Sequence, residues 1–132
     1  MSDCVLDASA LVLALSGKTA EASALRRRLV GVRKHAPHLI DAEVGNVLRR
    51  HEREARLSPH EALLAWRATR ALVDHRHPHG GPLGELAWTW RHNLSFYDAL
   101  YVALAVLLDL PLITADVRLS RAPDLSCTIE LV

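Results

Sequence analysis

SFYDALYVALAVLL, residues 95–108, places a single acid, Asp98, just inside the start of a helix and then runs from Ala99 to Leu108 with no polar group except the Tyr101 hydroxyl. A helix that is apolar on every side is a buried helix. An ionised carboxylate at its head costs on the order of several kcal/mol unless something pairs with it. No lysine or arginine occurs between Asp98 and Asp116, so the partner has to come from elsewhere in the chain or from a metal ion.

Outward from this segment, strands and helices alternate without a low-complexity linker or repeat. The spacing predicts strands over 3–6, 38–40, 75–79, 111–114 and 127–131. Helices are predicted over 8–15 and 19–30, broken at Ser16-Gly17-Lys18, then over 41–56, where Val44, Val47, Leu48 and Ala55 recur at helical spacing. Ser58-Pro59 starts a helix to about Val73 with Ser as N-cap and Pro at its first position, and further helices cover 83–90 and 117–121. Such alternation implies an α/β fold of three layers, α/β/α, with a central, mostly parallel sheet of four to five strands covered on both faces. The 132 residues fit one domain spanning 1–132. With 50% hydrophobic and 23% charged residues, disorder is excluded.

The acids lie at recurring places in this pattern. Asp7 follows Cys4-Val5-Leu6, Asp41 and Glu43 follow Leu39-Ile40, and Asp116 follows Leu112-Ile113-Thr114. In a parallel α/β sheet, ligands bind beyond the carboxyl ends of the strands. Carboxylates crowded at one such edge repel each other unless a divalent cation neutralises them, and hard oxygen ligands suit Mg2+ or Mn2+. Each acid also has a structural explanation. Asp7, Asp41 and Asp116 could be N-caps, Ser95-Phe96-Tyr97-Asp98 has the capping-box pattern, and Glu43 could favour the positive end of its helix dipole. Caps, however, have no reason to fall beside several different strands.

Four stretches, VLDASALV (5–12), PHLIDAEVGNVL (37–48), SFYDALYVALA (95–105) and ITADVRL (113–119), together resemble the PIN domain, in particular the VapC-type toxin ribonucleases of toxin–antitoxin pairs. The resemblance covers nearly the whole chain and keeps the family's motif order. It implies a PIN-like fold in which Asp7, Glu43, Asp98 and Asp116 form the acidic quartet. Ser9 and Thr114 match small hydroxyl residues near the metal, and Asn46 matches the polar residue one helical turn after the glutamate. By the same resemblance, Mg2+ or Mn2+ supports hydrolysis of an RNA phosphodiester, with a 3′-hydroxyl and a 5′-phosphate as products. The implied partners are an RNA substrate, a second copy of the chain in a homodimer, and a small VapB-like antitoxin lying in a groove that Leu11, Leu15, Leu25, Leu29 and Leu48 could line. PIN nucleases of RNA processing or acting on DNA share these carboxylates and form the alternative reading.

Charge and the remaining side chains add further expectations. Net charge is only +1, but Arg26, Arg27, Arg28, Arg33 and Lys34 form one basic cluster and Arg49, Arg50, Arg53 and Arg56 another, and of these Arg26, Arg27, Arg28, Arg49, Arg50 and Arg53 are the candidate RNA-binding residues. Such clusters can neutralise phosphates, or, with Glu52 and Glu54 interspersed in the second, simply solvate helix faces. His75, His77 and His79 alternate, which on a strand would point them to one face, where they could bind zinc or nickel or form a polar edge. Trp66 and Trp88 lie on predicted amphipathic helices, where core packing is expected. Cys4 and Cys127 are read as free thiols in apolar strands. No apolar run approaches the roughly 20 residues a membrane span needs, so a soluble cytoplasmic protein is expected, with no membrane contact.

Overall fold

A computed structural model describes residues 3–132. In chain order the elements are β1 (Cys4–Leu6), α1 (Ala8–Ser16), α2 (Ala20–Arg28), β2 (Lys34–Pro37), α3 (Leu39–Arg53), α4 (Pro59–Leu72), β3 (His75–His77), α5 (Pro82–Trp88), α6 (Phe96–Leu108), β4 (Leu112–Thr114), α7 (Val117–Ser120) and β5 (Ile129–Leu131). The strands form one sheet in the order β3-β2-β1-β4-β5, and every pairing is parallel. All three residues of β1 and of β4 are fully buried, so the sheet centre is covered on both faces. One cover is α6, which lies across β1, β2 and β4 and is paired with α5; α1, α3 and α4 pack on one another, with α1 reaching β4 and α3 reaching β2.

Strand order decides where the functional edge lies. From β1 the chain moves outward to β2 and β3, then crosses back to β4 and moves the other way to β5. The direction therefore reverses between β1 and β4, the kind of switch point at which parallel sheets open a crevice. The Val5↔Leu112 and Leu6↔Ile113 register sets the ends of these two strands side by side, so Asp7 and the Thr114-Ala115-Asp116 turn emerge together.

Gly17 allows the tight passage from α1 to α2. A Cβ there would stand 2.6 Å from the Leu13 carbonyl oxygen and 2.7 Å from the Ala22 Cβ, closer than any side chain tolerates.

Several expectations need correction. The second strand is Lys34–Pro37 rather than 38–40. Pro37 does not end pairing, because it is the strand's last residue, where a missing N–H costs the sheet little; Leu39 and Ile40 already belong to α3. The third strand stops at His77, and His79 leaves the sheet. The last strand is shortened to 129–131. Asp41 does not cap α3; it receives the Arg76 guanidinium in a two-pronged pair, with Nε 2.7 Å from Oδ2 and Nη2 2.8 Å from Oδ1. Leu11, Leu25, Leu29 and Leu48 are core residues, at most 5% exposed, so they cannot line an open groove, and of the five leucines only Leu15 reaches a surface cleft. Trp66 and Trp88 are 43% and 58% exposed rather than packed inside. On α4 the inward positions belong to the small Ala62, Ala65 and Thr69, which turns Trp66 outward over Gly45.

The histidines form a network at the β2–β3 edge. His35 and His77 share a ring-to-ring hydrogen bond of 3.0 Å, His35 also meets Asp3 at 3.0 Å, and His75 stacks on His35. Among the described residues no three His, Cys, Asp or Glu side chains are disposed to hold an ion, so the zinc or nickel reading of this edge finds no site. His79 has a different task. Its Nε2 accepts the Leu39 N–H at 2.8 Å, supplying from another element the cap that His38, at the N-cap position itself, does not.

Burial, with His38 nearby, lowers the His79 pKa. A histidine held neutral in the fold favours the native state above its unfolded pKa near 6.5, and that stability is lost as pH falls below this value. His77, lowered by burial and by its histidine neighbours, works in the same direction. The contribution of His79 and His77 to stability is therefore expected to be smaller at pH 5.5 than at pH 7.5. His79→Ala should lose about 1 kcal/mol at pH 7.5, the usual worth of a cap, and show a flatter pH dependence. Thermal denaturation at the two pH values tests this; an unchanged slope would remove His79 from the account.

Candidate active site

Asp7 sits at the exit of the central strand and does two jobs with its two oxygens. Oδ1 caps α1 by accepting from the Ala10 N–H at 2.9 Å, and it also accepts from the Ser9 hydroxyl at 2.6 Å. Oδ2 accepts from the Thr114 hydroxyl, which reaches across from the end of β4. Both hydroxyls are themselves acceptors, Thr114 from the Asp116 N–H at 3.0 Å and Ser9 from the Ala115 N–H at 2.9 Å. The ends of β1 and β4 are thus tied through one carboxylate that is only 6% exposed. Burial pushes the Asp7 pKa up, the bonds from Ser9, Thr114 and Ala10 pull it back, and the charge of Asp116 adds repulsion.

Glu43 enters from the second turn of α3. Burial raises its pKa, and the charges of Asp98 and Asp7 raise it further. The Tyr101 hydroxyl, from α6, lies close enough to pull the Glu43 pKa down, yet among the described residues it is the buried side-chain polar atom without a hydrogen-bond partner. Burial and Glu43 keep that phenol protonated, so it remains an unused donor facing the acids.

Asp98 and Asp116 share a cation. One nitrogen of Arg118, Nη2, lies 2.9 Å from Asp98 Oδ2 and 3.1 Å from Asp116 Oδ2. Asp116 divides its oxygens as Asp7 does: Oδ1 caps α7 through the Arg118 and Leu119 N–H groups, and Oδ2 turns to the guanidinium. Asp98 therefore has a protein partner, and the partner lies just beyond the stretch between Asp98 and Asp116 that holds no basic residue. Ser95 caps α6 by accepting from the Asp98 N–H at 3.1 Å, but the reciprocal bond of a full capping box is not formed; Ser58 and Glu61 form that device on α4.

These four acids line one cavity of about 720 Å³, and Ser9 and Tyr101 line it with them. Its wall carries Lys18, Arg50, Arg56 and Arg118. Of the two basic clusters singled out in the sequence, Arg50 and Arg56 reach this cavity. Arg26 closes the end of α1 by donating to the Ala14 and Gly17 carbonyls, and Arg28 pairs with Glu130 at 2.9 Å. Arg27, Arg49 and Arg53 are exposed, Arg49 leaning on the Asn46 amide oxygen at 3.3 Å. Asn46 is thus directed at Arg49 rather than at Glu43, although both lie on one helix. Lys18 and Arg118 were not singled out in the sequence. Arg118 had a signal, since it lies inside the ITADVRL stretch two residues after Asp116; Lys18 sits in a loop and carried none.

The donor set fits a divalent cation. Two of the carboxylates have raised pKa values, the mark of crowded negative charge in a poorly solvated place. A guanidinium nitrogen already stands between the other two, where a smaller, doubly charged ion would be held more strongly. Among the described residues no three acids close on one point. The arrangement therefore suits an ion that takes one or two carboxylates directly and keeps water in its other positions, which is the habit of magnesium.

Comparison with known proteins shows the family. Residues 4–125 match the PIN domain family model. The chain is 52% identical over 132 residues to Ribonuclease VapC1 of Mycobacterium tuberculosis, covering 100% of this chain and 99% of that protein. Among solved structures it is similar in fold to the sarcin-ricin loop cleaving toxin VapC20 of Mycobacterium tuberculosis, with a TM-score of 0.68 at 20% identity over 89% of this chain and 93% of that one. It is likewise similar in fold to VapBC2 of Rickettsia felis, solved with a DNA fragment from its promoter, with a TM-score of 0.68 at 13% identity, covering 100% and 99% of the two chains.

Tyr101→Phe separates an idle hydroxyl from one satisfied by water. Deleting an unpaired buried hydroxyl removes a desolvation cost and no bond, so the variant is expected to be at least as stable as wild type in urea denaturation. A loss of more than about 1 kcal/mol would show that the hydroxyl is bonded in solution.

Proposed function

The chain belongs to the PIN-domain family, among its VapC ribonucleases, and from that membership we propose that it is a metal-dependent endoribonuclease toxin, hydrolysing phosphodiester bonds in structured RNA such as tRNA or rRNA. The observation that carries this reading is the meeting of Asp7, Glu43, Asp98 and Asp116, from four separate parts of the chain, in one cavity with a basic wall. Residues 1–132 act as a single PIN domain. No helix among the described residues is long and apolar enough to cross a membrane, and we place the protein in the cytoplasm. Its partners are a cognate VapB-like antitoxin, as in the Rickettsia felis pair, and a second copy of the chain in a homodimer.

Asp7, Asp98, Asp116 and Glu43 would hold a Mg2+ or Mn2+ ion. Such an ion, when bound, supplies activation of the attacking water and neutralisation of the leaving oxygen. The protein's own groups do the positioning. Thr114 and Ser9 fix both oxygens of Asp7, so that acid cannot swing away from the cavity. Arg118 reaches Asp98 and Asp116 through one nitrogen, which leaves its other donors for a phosphate oxygen. Arg50, on the same helix as Glu43, lines the cavity and can take a neighbouring phosphate.

Asn caps a helix as well as Asp does, so Asp7→Asn and Asp116→Asn keep the caps while removing charge. These variants and Asp98→Asn are expected to lose RNA cleavage by at least about a hundredfold while melting within a few degrees of wild type, and excess EDTA should have the same effect on wild type. Full cleavage in any of them, or in EDTA, sinks the metal-dependent reading. In filter binding with calcium replacing magnesium, Arg50→Ala should weaken RNA binding and reduce the salt slope by about one unit, the expectation for one lost phosphate contact. The double variant Arg49→Ala, Arg53→Ala should change both less.

A further inference from the structure

Half of this chain's six aromatic side chains gather at one exposed corner. The sequence holds three Trp, two Tyr and one Phe, and of these Trp88, Phe96 and Tyr97 are 58%, 38% and 58% exposed. Trp88 ends α5, and Phe96 and Tyr97 open α6, so the short turn between the helices brings them together. Trp88 and Phe96 meet edge to face with ring centroids 6.1 Å apart. The Arg91 guanidinium lies 5.1 Å over the Trp88 ring and is fixed there by donating to the Trp88 carbonyl oxygen at 3.0 Å. Asp98 is the next residue after Tyr97, in the same helical turn, and Arg118 joins it to Asp116. Through Tyr97 the corner adjoins the helical turn that carries Asp98, although its rings are not among the residues that line the cavity.

Aromatic faces left in water beside a bound cation are what an unpaired nucleotide needs: a ring to stack on and a positive charge for its phosphate. An apolar protein partner would gain from the rings but would have to desolvate Arg91, which stands over one of them. Taking as its basis the reading of the acidic site as an RNA hydrolase, we infer that Trp88 and Tyr97, with Arg91, form a stacking platform for an unpaired base flanking the phosphate to be cut. The platform makes the substrate an RNA loop or single-stranded segment, since a base inside a duplex cannot turn its face to it. Trp88, Tyr97 and Arg91 are positioning residues; none touches the reacting atoms.

The test uses the full chain with calcium in place of magnesium and two fluorescein-labelled probes, a mixed-sequence single-stranded RNA of about a dozen nucleotides and its blunt duplex. Anisotropy should show the single strand bound several-fold more tightly than the duplex. Trp88→Ala and Tyr97→Ala should each weaken the single strand by roughly tenfold, within the range for loss of one stacked base, with Trp88→Phe and Tyr97→Phe restoring most of it. With magnesium, KM should rise in the alanine variants while kcat stays within about twofold, the signature of lost ground-state binding. Single-strand affinity unchanged in both alanine variants overturns the platform. So does an equal loss for single strand and duplex, or a fall in mass by light scattering with RNA affinity unchanged, which would make the corner a contact between protomers. Failure of the hydrolase reading would be seen separately, as wild type that cleaves no RNA or as undiminished cleavage in Asp98→Asn.

Discussion

A carboxylate buried at the tip of the central strand has to be solvated by the protein, because water no longer reaches it. Asp7 meets this need with two hydroxyls and a backbone amide, and one hydroxyl, that of Thr114, belongs to the neighbouring strand. Satisfying Asp7 therefore also fixes how β1 and β4 end relative to each other. Thr114 and Ser9 in turn accept the amides of Asp116 and Ala115, so the turn leading to the next acid is shaped by the same bonds. The crevice that strand order opens between β1 and β4 is thus held at one geometry, and that geometry sets Asp116 beside Asp7.

The electrostatics of the cavity follow from this crowding. Asp7 and Glu43 are pushed toward protonation by burial and by their neighbours, while Asp98 and Asp116 are ion-paired with Arg118. Arg118 is largely exposed and held through one nitrogen, so its attachment is weak in water. The arginine neutralises Asp98 and Asp116 through contacts loose enough to be given up to a competing cation. The caps formed by Asp7 and Asp116 use one oxygen each, which is why capping and ligand binding do not compete.

How far the sequence disclosed this depended on whether a residue's role was local. The all-apolar run after Asp98 could only be a buried helix, and Cys4-Val5-Leu6 ahead of Asp7 could only be a short buried strand; both are where periodicity put them. The four acids were visible because each stands at a junction of elements. What escaped was contact between distant segments. The second strand was placed at 38–40 instead of Lys34–Pro37, because its extent is set by pairing with β1 and β3. The cap of α3 comes from His79, forty residues onward, so a local search could offer only Asp41 as a candidate. The arginine clusters looked like nucleic-acid patches by composition, yet Arg26 and Arg28 are held by a helix end and by Glu130, partners that only folding brings near.

The placement of α3 shows what such distant contacts do for the site. Glu43 reaches the cavity only if the first turns of α3 are held at the right angle to β2, and the start of that helix has no cap of its own. Two contacts from the β3 edge supply the restraint: Arg76 grips Asp41, and His79 accepts the Leu39 amide. His38 continues the tie by donating its backbone amide to the His77 carbonyl oxygen at 2.8 Å. The edge strand, lying two strands away from Asp7, thus sets the position of the one acid that does not come from the β1–β4 crevice or its adjoining helices. A carboxylate quartet assembled from separate parts of a chain needs restraint on each part, and here an edge strand adds to the burial of Ile40 and Val44 a histidine acceptor and a charged pair that hold the helix carrying Glu43.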